Sequence, residues 1–340
     1  MNIVVIGSGI AGFSFADEYR KLCPEASVTI MTRETGGYYS RPLLSHGFTH
    51  QDIESRIMLR TFDQLEQSGI HVTAGCEVTR IDRERQSLSL INQDLDDQLH
   101  YDHLVLALGS DAIVPPPLLP YAAQFHILNS LDDLLELRRI RERVIGGGEV
   151  PRWAIIGGGL IGCELASDLA VAGDQTTLFH VMPRLMERQL AEADSNDLLQ
   201  LLTEVQHIDV RLDTNVQGIS GKSGNLTVHA SSGDIEGFHC AVVACGFKPR
   251  IDLARKAELG TGRGIKVNAF LTTTDPHISA IGDAAECENG KNYAYVTPIR
   301  SQAIWLARHL TAQSDKPWET PDFNPRAKVH GFTAKHPYVR

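Results

Sequence analysis

The chain has 340 residues, of which 42% are hydrophobic and 22% are charged, and this composition is typical of a globular protein with room for two domains. Its formal net charge of −10 and the lack of a long basic run argue against nucleic-acid binding. No run of about 18 apolar residues occurs, so we expect no membrane-spanning helix. The N-terminus lacks a basic leader and a cleavage site, so we expect no signal peptide.

The chain opens on a glycine-rich turn. In "NIVVIGSGIAGFSFADEYRKL" an apolar strand is followed by Gly7, Gly9 and Gly12 and then by a helical stretch. The first glycine permits a tight turn, the second lets a pyrophosphate approach the backbone, and the third lets the helix pack on the strand. The pyrophosphate would then meet the free N–H groups and the positive dipole at the start of the helix. The stretch therefore predicts a dinucleotide site that includes Ala11.

The most basic stretch of the chain is Arg138 to Arg143, in "ELRRIRERV". It follows a helix start predicted at Ser130. Cations near the end of a helix offset the macrodipole, so we interpret this run as a solvated helix end.

The glycine pattern recurs in "RWAIIGGGLIGCELASDLAVAG". Gly157, Gly159 and Gly162 follow an apolar strand, Trp153 to Ile156, and open a helix that we expect to end near Gly173. Two such patterns, each between a strand and a helix, predict that the chain binds two dinucleotides. The second site would also include Leu160 and Ile161.

Six cysteines are scattered without the spacing of a metal site or a disulfide framework, which indicates a reducing, cytoplasmic environment and no metal site. Cys240 and Cys245 have the spacing of a redox pair but lie in "FHCAVVACG", which is typical of a buried strand. Five residues along a strand span about 16 Å, whereas bridged Cα atoms lie within about 7 Å. We therefore expect no disulfide between them.

A last helix is predicted in "YAYVTPIRSQAIWLARHL". Thr297 is suited to the N-cap and Pro298 to the first helical position, and the apolar spacing that follows is helical.

Taken together, these motifs resemble the pyridine nucleotide–disulfide oxidoreductase superfamily, with FAD at the first glycine motif and NAD(P)H at the second. "YDHLVLALGSDAIVPP" is similar to the family's first crossover, which includes Ala107 and Gly109, although Leu108 replaces the usual threonine. "AVVACGFKPR" resembles the second crossover, which includes Gly246. "TTTDPHISAIGDAAE" resembles the late Gly-Asp motif and implies that Asp283 binds the flavin ribityl hydroxyls; a helix cap is the alternative role.

The resemblance implies an α/β fold with two Rossmann-like dinucleotide-binding domains, as in glutathione reductase. The FAD-binding domain would be discontinuous, formed by residues 1–111 and 245–312. The NAD(P)-binding domain, residues 112–244, would be inserted into it. Residues 313–340 would form a short C-terminal tail, a remnant of the family's interface domain.

The resemblance implies further FAD contacts. The last helix would direct its N-terminus, with Val296 and Thr297, at the flavin pyrimidine edge, where its dipole stabilises negative charge; an ordinary packing helix is the alternative. The residue that binds the adenosine ribose is left open. The second strand ends at Thr32, where many relatives carry Glu, and Glu34 is either the substitute or a solvated loop charge.

On the NAD(P) side, Glu164 is placed to approach the nicotinamide. His180 stands where relatives often carry an acid that binds the ribose, and Arg184 and Arg188 follow it. A cationic neighbourhood tolerates a 2′-phosphate, which favours NADPH. The group that the chain most resembles uses NADH, which we expect here.

"YYSRPLLSHG" lies where disulfide and peroxide reductases of the superfamily carry their cysteine, and here the register reads Ser45-His46-Gly47. An imidazole cannot replace the thiolate of disulfide chemistry. For His46 we favour a solvent-facing or hydrogen-bonded loop histidine over a proton donor. "YSRPLLS" is instead similar to a stretch of the rubredoxin and flavorubredoxin reductases, which implies that Arg41 binds the FAD phosphates and that Pro42 packs near the ring.

In that group, NADH gives a hydride to flavin N5, and the flavin releases single electrons to a small iron protein of the rubredoxin type. We therefore expect an FAD-dependent NAD(P)H oxidoreductase, cytoplasmic, and a monomer or weak homodimer. No protein side chain is required as a catalytic nucleophile. The alternatives are an NAD(P)H oxidase, a disulfide or peroxide reductase, and a non-enzymatic flavin-binding protein.

Overall fold

The structure is a computed structural model that describes residues 1–90 and 99–338. Its contacts divide the chain into two compact units. The first unit comprises Met1–Ser40, Met58–Asp111 and Lys248–Phe323. The second comprises Arg41–Ile57, Ala112–Phe247 and Asn324–Arg340. The assignment of FAD to one domain and of NAD(P) to the other remains a prediction.

The strands of the described residues are β1 (Asn2–Ile6), β2 (Ser27–Met31), β3 (Gly37–Tyr39), β4 (Met58–Thr61), β5 (His71–Thr73), β6 (Val78–Asp82), β7 (Ser87–Leu90), β8 (Leu99–His100), β9 (His103–Leu106), β10 (Ser110–Ala112), β11 (Arg152–Ile156), β12 (Gln175–Phe179), β13 (Asp209–Arg211), β14 (Val216–Lys222), β15 (Asn225–Ala230), β16 (Gly233–Phe238), β17 (Cys240–Val243), β18 (Phe247–Pro249), β19 (Ile265–Lys266), β20 (Ile278–Ala280) and β21 (Ala285–Glu286).

The α-helices are α1 (Ile10–Leu22), α2 (Ile53–Ile57), α3 (Phe62–Gln67), α4 (Leu131–Gly146), α5 (Leu160–Val171), α6 (Glu192–Gln200), α7 (Asp252–Lys256) and α8 (Val296–Leu310). Short 3-10 helices cover Arg41–His46, Pro116–Tyr121 and Gly282–Ala284, and a π-helical turn covers Leu201–Val205.

A parallel sheet forms the centre of the first unit, with the strand order β20-β9-β1-β2-β5. Parallel strands are covered on both faces and therefore consist of nearly continuous apolar residues. Ile3, Val4 and Val5 of β1 accordingly have no exposed surface. Helices α1 and α8 of this unit pack against each other.

The second unit contains a parallel sheet with the order β13-β12-β11-β17, and His126 extends it by a bridge to Val242. An antiparallel sheet, β14-β15-β16, belongs to the same unit. Phe179 of the first sheet and Phe238 of the second pack edge to face in their shared core. Each glycine motif therefore follows a buried parallel strand, as the sequence predicts: β1 leads into α1, and β11 leads into α5.

Helix α4 begins where the sequence predicts, because Ser130 and Asp133 form a capping box at its N-terminus. The interpretation of the basic run as a solvated helix end is wrong for two of its arginines. Arg138 donates hydrogen bonds to the carbonyls of His50 and Gln51, at 2.9 and 3.0 Å. Arg141 donates through Nε and Nη2 to both carboxylate oxygens of the buried Asp174, at 2.8 and 2.9 Å.

Helix α8 begins two residues earlier than the capping pattern predicts. Its N-cap is Tyr295, which has an extended backbone and makes no side-chain cap, and Val296 is the first helical residue. Thr297 and Pro298 therefore lie inside the first turn. Proline is tolerated there because the N–H groups of the first turn have no partner within the helix.

The tail has no helix or strand in its described part, and it divides between the units. Residues up to Phe323 group with the first unit and residues from Asn324 group with the second. Residues 339 and 340 of the predicted tail lie outside the described residues. None of the helices in the described part of the chain has the length and apolar character needed to cross a membrane.

Candidate functional site

The first glycine motif adopts the tight geometry that its sequence predicts. Gly7 has a φ of +112°, and a Cβ there would lie 2.2 Å from the carbonyl oxygen of Ala107. A Cβ on Gly12 would lie 1.9 Å from the carbonyl oxygen of Gly7. Gly9 differs from both, since a Cβ there would meet nothing within 4 Å. The first and third glycines are thus required by close packing, whereas the second faces open space.

That open space lies in front of the N-terminus of α1. Gly9 is the N-cap, and its carbonyl accepts the first helical hydrogen bond from Phe13, at 2.9 Å. The N–H groups of Ile10, Ala11 and Gly12 therefore precede the helical hydrogen-bond ladder. A helix start of this kind binds anions, so the residues present fit a pyrophosphate group.

The end of β2 is tied to this turn by hydroxyl groups. The hydroxyls of Ser8 and Thr32 are 2.8 Å apart, and the Thr32 hydroxyl also accepts from the backbone N–H of Glu34, at 3.1 Å. The Glu34 carboxylate accepts from the Tyr39 hydroxyl, at 2.9 Å. Hydrogen bonds thus fix Glu34 beside the turn, which favours a role in binding the ribose over a solvated loop charge. The ribose role remains a prediction.

The first crossover is held by an arginine that sequence reasoning missed. Arg250 donates to the carbonyl of Leu108, at 3.1 Å, and to the carboxylate of Asp111, at 2.6 Å. Its backbone N–H donates to the carbonyl of Gly109, at 3.0 Å. Arg250 ends the quoted motif "AVVACGFKPR", so the signal was its position just after the second crossover.

Asp283 is positioned by neighbours from three parts of the first unit. The Ser110 hydroxyl donates to its carboxylate at 2.7 Å, and the Asn292 side chain donates to its carbonyl at 3.3 Å. Gln302 of α8 accepts from the N–H of Gly282, at 2.8 Å. Asp283 lies inside the 3-10 helix Gly282–Ala284, and the N-cap of α8 is Tyr295. The predicted contact of Asp283 with the ribityl hydroxyls remains a prediction.

The predicted contacts at the start of α8 lie at the surface of the structure. Val296 and Thr297 are both exposed, with 45% of Val296 accessible. Their N–H groups belong to the first turn of the helix and have no intrahelical partner. They are therefore accessible to an anionic group.

The second glycine motif repeats the geometry of the first. Gly157 has a φ of +118°, and a Cβ on Gly162 would lie 1.7 Å from its carbonyl oxygen. Gly159 is the N-cap of α5, and a Cβ there would meet nothing within 4 Å. Leu160 and Ile161 form the half-buried first turn of α5. This turn also fits a pyrophosphate group.

His180, at the end of β12, is part of the second glycine turn. Its Nδ1 accepts a hydrogen bond from the N–H of Gly158, at 3.0 Å, so its Nε2 carries the proton and donates to Glu187, at 3.1 Å. The sequence did not point to Glu187, which supplies an acid next to the histidine. Arg184 does not add a free charge there, because its guanidinium donates to the carbonyls of Leu190 and Glu187.

Glu164 is fully buried on α5 and both of its carboxylate oxygens have partners. One accepts from the Ser45 hydroxyl, at 2.6 Å. The other accepts from the backbone N–H of Lys328, at 2.8 Å, and lies 3.4 Å from its ammonium group. The predicted nicotinamide contact of Glu164 remains a prediction.

Gly246 belongs to the predicted second crossover. Its carbonyl accepts a hydrogen bond from the N–H of Ile113, at 2.8 Å, which holds this segment.

Arg41 and Pro42 begin the 3-10 helix Arg41–His46, which groups with the second unit. The Arg41 guanidinium donates to the carbonyl of Asn129. The predicted contacts of these two residues with FAD remain a prediction.

His46 is neither solvent-facing nor hydrogen-bonded, so the interpretation of it as an ordinary loop histidine is wrong. Only 16% of its side chain is exposed, and its Nε2 is buried without a hydrogen-bond partner in the described part of the chain. Its Nδ1 lies 3.8 Å from Oδ1 of Asp168, beyond hydrogen-bond distance. Burial lowers the pKa of His46, which keeps the imidazole neutral.

Asp168 and His330 complete this cluster, and sequence reasoning missed both. His330 Nε2 lies 2.8 Å from Asp168 Oδ1. Asp168 also accepts from the N–H of Phe48, at 2.8 Å, and from the hydroxyl of Thr49, at 2.6 Å. Asp168 lies one helical turn after Glu164, which was the only sequence signal; His330 had none because it comes from the irregular tail.

All six cysteines are free thiols, so the expected absence of a Cys240–Cys245 disulfide agrees with the structure. Burial raises the pKa of the Cys245 and Cys287 thiols to about 11. Burial also raises the pKa of Cys76, Cys163 and Cys240. These thiols are therefore not activated as thiolates near neutral pH.

The chain is similar in sequence and in fold to known reductases. Residues 1–307 match the family described as "Pyridine nucleotide-disulphide oxidoreductase". The chain is 34% identical over 317 residues to the rubredoxin-NAD(+) reductase of Alcanivorax borkumensis, covering 92% of this chain and 79% of that protein. It is 33% identical over 336 residues to the nitric oxide reductase FlRd-NAD(+) reductase of Aliivibrio fischeri, covering 97% and 84%. The crystal structure of NADH:rubredoxin oxidoreductase from Clostridium acetobutylicum matches with a TM-score of 0.79 at 25% identity, covering 97% and 80%.

Proposed function

The chain belongs to the pyridine nucleotide-disulphide oxidoreductase family, and we propose that it carries electrons from NADH, through FAD, to a small iron electron-transfer protein of the rubredoxin type. It is an FAD-dependent oxidoreductase with a pyridine nucleotide as its second cofactor. The acceptor is proposed from the relatives, whose names include rubredoxin-NAD(+) reductase and NADH:rubredoxin oxidoreductase.

One observation carries the choice of acceptor: the stretch Ser45-His46-Gly47, whose register resembles that of the family's reactive cysteine, has a histidine and no thiol. Burial raises the pKa of five of the six thiols, and the sixth, Cys23, is the C-cap of α1, at the opposite end of that helix from the first glycine turn. Thiol–disulfide exchange needs a thiolate at the reacting position. A reductase of disulfides or peroxides is therefore disfavoured, and an acceptor that takes electrons directly from the flavin is favoured.

The two glycine turns support one dinucleotide in each unit, and we assign FAD to the first and NADH to the second. Gly9, Ala11 and Gly12 would hold the FAD pyrophosphate, and Asp283 would accept from the ribityl hydroxyls. Bound FAD would accept a hydride from NADH and deliver electrons singly to the acceptor. The protein's part is to position the two cofactors by the glycine turns and to exclude a competing thiol reaction.

NADH is favoured over NADPH because the second turn carries an acid. Glu187 accepts from His180, which in turn accepts from the Gly158 N–H. A 2′-phosphate near Glu187 would meet a like charge, and Arg184 is engaged with backbone carbonyls. Arg188 is 85% exposed and lies 3.5 Å from Glu187, so its charge is partly offset.

The proposal extends to location and oligomeric state. The six free cysteines favour a cytoplasmic location, because thiols persist in a reducing compartment. The oligomeric state that we propose is a monomer or a weak homodimer. Size-exclusion chromatography with light scattering would test the oligomeric state.

An acceptor panel tests the proposed function. The purified flavoprotein is mixed anaerobically with NADH, and the loss of flavin absorbance is followed; rubredoxin, a [2Fe–2S] ferredoxin, glutathione disulfide and coenzyme A disulfide are then offered in parallel. We expect rapid bleaching and turnover with an iron protein but none with the disulfides. Turnover with a disulfide would contradict the proposal, and so would bleaching followed by reaction with oxygen alone.

The same panel addresses the non-enzymatic alternative. A protein that only binds flavin would hold FAD and fail to bleach with NADH, while remaining reducible by dithionite. Wild-type protein that behaved in this way with both NADH and NADPH would exclude a pyridine-nucleotide-dependent reductase.

A further inference from the structure

Three side chains of metal-binding type converge next to α5. One ring nitrogen from each of His46 and His330 and one carboxylate oxygen of Asp168 all lie within 4.8 Å of one another. The three residues come from separate segments: the 3-10 helix Arg41–His46, helix α5 and the tail. We propose that His46, Asp168 and His330 form a binding site for a divalent first-row transition metal ion such as zinc.

The distances are close to those of a metal site. Asp168 Oδ1 lies 2.8 Å from His330 Nε2 and 3.8 Å from His46 Nδ1. Zinc–ligand bonds of about 2.0–2.2 Å in a tetrahedron separate neighbouring ligand atoms by roughly 3.3–3.5 Å. Small side-chain rotations therefore bring all three atoms into range of one ion. Two imidazoles and one carboxylate leave a fourth position for water, as in zinc sites with three protein ligands.

The charge of the surroundings favours a cation. Glu164 and Asp168 are both fully buried, and they lie one turn apart on the same helix. The Lys328 ammonium lies 3.4 Å from Glu164 and offsets one of these charges. The Asp168 carboxylate, in contrast, has no lysine or arginine ion-pair partner in the described part of the chain. Buried charges require such compensation, which a divalent ion would supply.

The hydrogen bonding of His46 also favours a role as a metal ligand. Its Nε2 is buried without a hydrogen-bond partner, and its Nδ1 is too far from Asp168 to bond to it. Neither ring nitrogen of His46 is therefore engaged in a hydrogen bond within the described residues, and a neutral imidazole offers the lone pair of one of them to a metal.

The cluster is held in place before any ion binds. Asp168 is fixed by the N–H of Phe48 and the hydroxyl of Thr49. His330 is fixed by its backbone, because its N–H donates to Ser167 at 3.1 Å and its carbonyl accepts from Gln206 at 2.8 Å. Hydrogen bonds of this kind orient metal ligands and raise their affinity. A bound ion would fasten the tail to α5.

The test is a zinc titration of the purified flavoprotein after treatment with EDTA, in competition with a chromophoric chelator. We expect one zinc ion per chain. His46→Ala and His330→Gln should each weaken binding more than about 10-fold, since even the loss of a residue that only orients a ligand weakens metal affinity 10- to 100-fold. His330→Gln keeps an N–H donor for Asp168, so it separates the loss of a ligand from the loss of tail packing.

His336→Ala is the matched control. His336 lies in the same tail and its Nδ1 is 3.1 Å from another buried aspartate, Asp194, but it is not part of the cluster. This variant should bind zinc as the wild type does. A wild type without saturable zinc binding would overturn the proposal, and so would zinc binding that His46→Ala and His330→Gln leave unchanged. Both readouts are independent of NADH oxidation, so they stand apart from the proposed function.

Discussion

The backbone N–H of Gly158 donates to Nδ1 of His180, at 3.0 Å, so a side chain at the end of β12 is fastened to the second glycine turn. The same imidazole donates to Glu187 from its other nitrogen. His180 therefore links the glycine turn to Glu187, the only acidic side chain that hydrogen-bonds to His180 in the described residues. This relationship makes the choice of nucleotide testable.

We expect Glu187→Gln to reduce the preference for NADH over NADPH. The substitution removes the charge that would repel a 2′-phosphate and keeps an acceptor for His180. The ratio of kcat/KM for the two nucleotides should fall by about 3- to 10-fold, equivalent to one hydrogen bond or one weak charge interaction. Glu204→Gln, at an exposed residue of the π-helical turn, should leave the ratio unchanged. An unchanged ratio in Glu187→Gln would remove Glu187 from the nucleotide site.

Substitution of each N-cap glycine should impair the binding of a different cofactor, FAD at Gly9 and NADH at Gly159. Leucine at Gly9 or Gly159 meets no protein atom within 4 Å of its Cβ, so both variants should fold, but the side chain would occupy the space in front of the helix start. Gly9→Leu should purify without FAD. Gly159→Leu should keep FAD, fail to bleach with NADH, and still bleach with dithionite. The measurements are flavin content and anaerobic absorbance; equal flavin loss in both variants would contradict the assignment.

Catalysis should not depend on any thiol. A variant with every cysteine replaced by Ser or Ala should have a lower melting temperature, because buried thiols pack as small apolar groups. Turnover with an iron acceptor or ferricyanide, expressed per bound flavin, should equal that of the wild type. Loss of turnover at full flavin occupancy would mean that a thiol carries electrons.

Arg141 should contribute far more to stability than the neighbouring exposed arginine. It binds both oxygens of Asp174, which also accepts from the Trp153 indole, at 2.9 Å. Arg141→Ala leaves that carboxylate buried without its cation, which should lower the free energy of unfolding by about 3–5 kcal/mol. Arg139→Ala removes an exposed pair with Glu136 and should cost less than about 1 kcal/mol. Urea unfolding with excess FAD measures both, and similar values would refute the argument.

His103 should make the first unit sensitive to acid. Burial lowers its pKa to about 4, from an ordinary value of 6.5. The unfolded chain therefore takes up a proton as the pH falls below 6.5, while the folded chain stays unprotonated until about pH 4. The free energy of unfolding that depends on a neutral His103 is fully present above pH 6.5 and is lost as the pH falls towards 4. The loss amounts to roughly 2–3 kcal/mol by pH 4.5.

His103→Gln tests this dependence, since Gln can still bond to the Ser279 hydroxyl that lies 3.0 Å from His103 Nε2. Between pH 7 and pH 4.5 the variant should lose roughly 2–3 kcal/mol less unfolding free energy than the wild type. His71→Gln, at an exposed histidine, should follow the wild type. A variant with the wild-type slope would show that His103 takes up its proton at the same pH in the folded and the unfolded chain.

The sequence by itself determined the elements that depend on local chemistry. Gly7 and Gly157 stand where only a residue without a Cβ fits, and the apolar strands before them are buried, so both turns were recognisable from spacing alone. The helix start at Ser130 was equally clear, because a capping box is formed by residues that are neighbours in the chain. The start of α8 was misplaced by two residues, because Thr297 and Pro298 are compatible with several positions of the first turn.

Only the tertiary structure decided the contacts between distant segments. Nothing local to His330 marks it as a neighbour of Asp168, since the two are 162 positions apart and the tail has no regular structure. His46 was interpreted as an ordinary loop residue because its burial arises from α5 and the tail, not from its own segment. Arg141 was assigned to solvent because a helix pattern does not reveal which charge has a buried partner. Such pairings depend on how elements pack, and a linear sequence specifies that packing only through the whole fold.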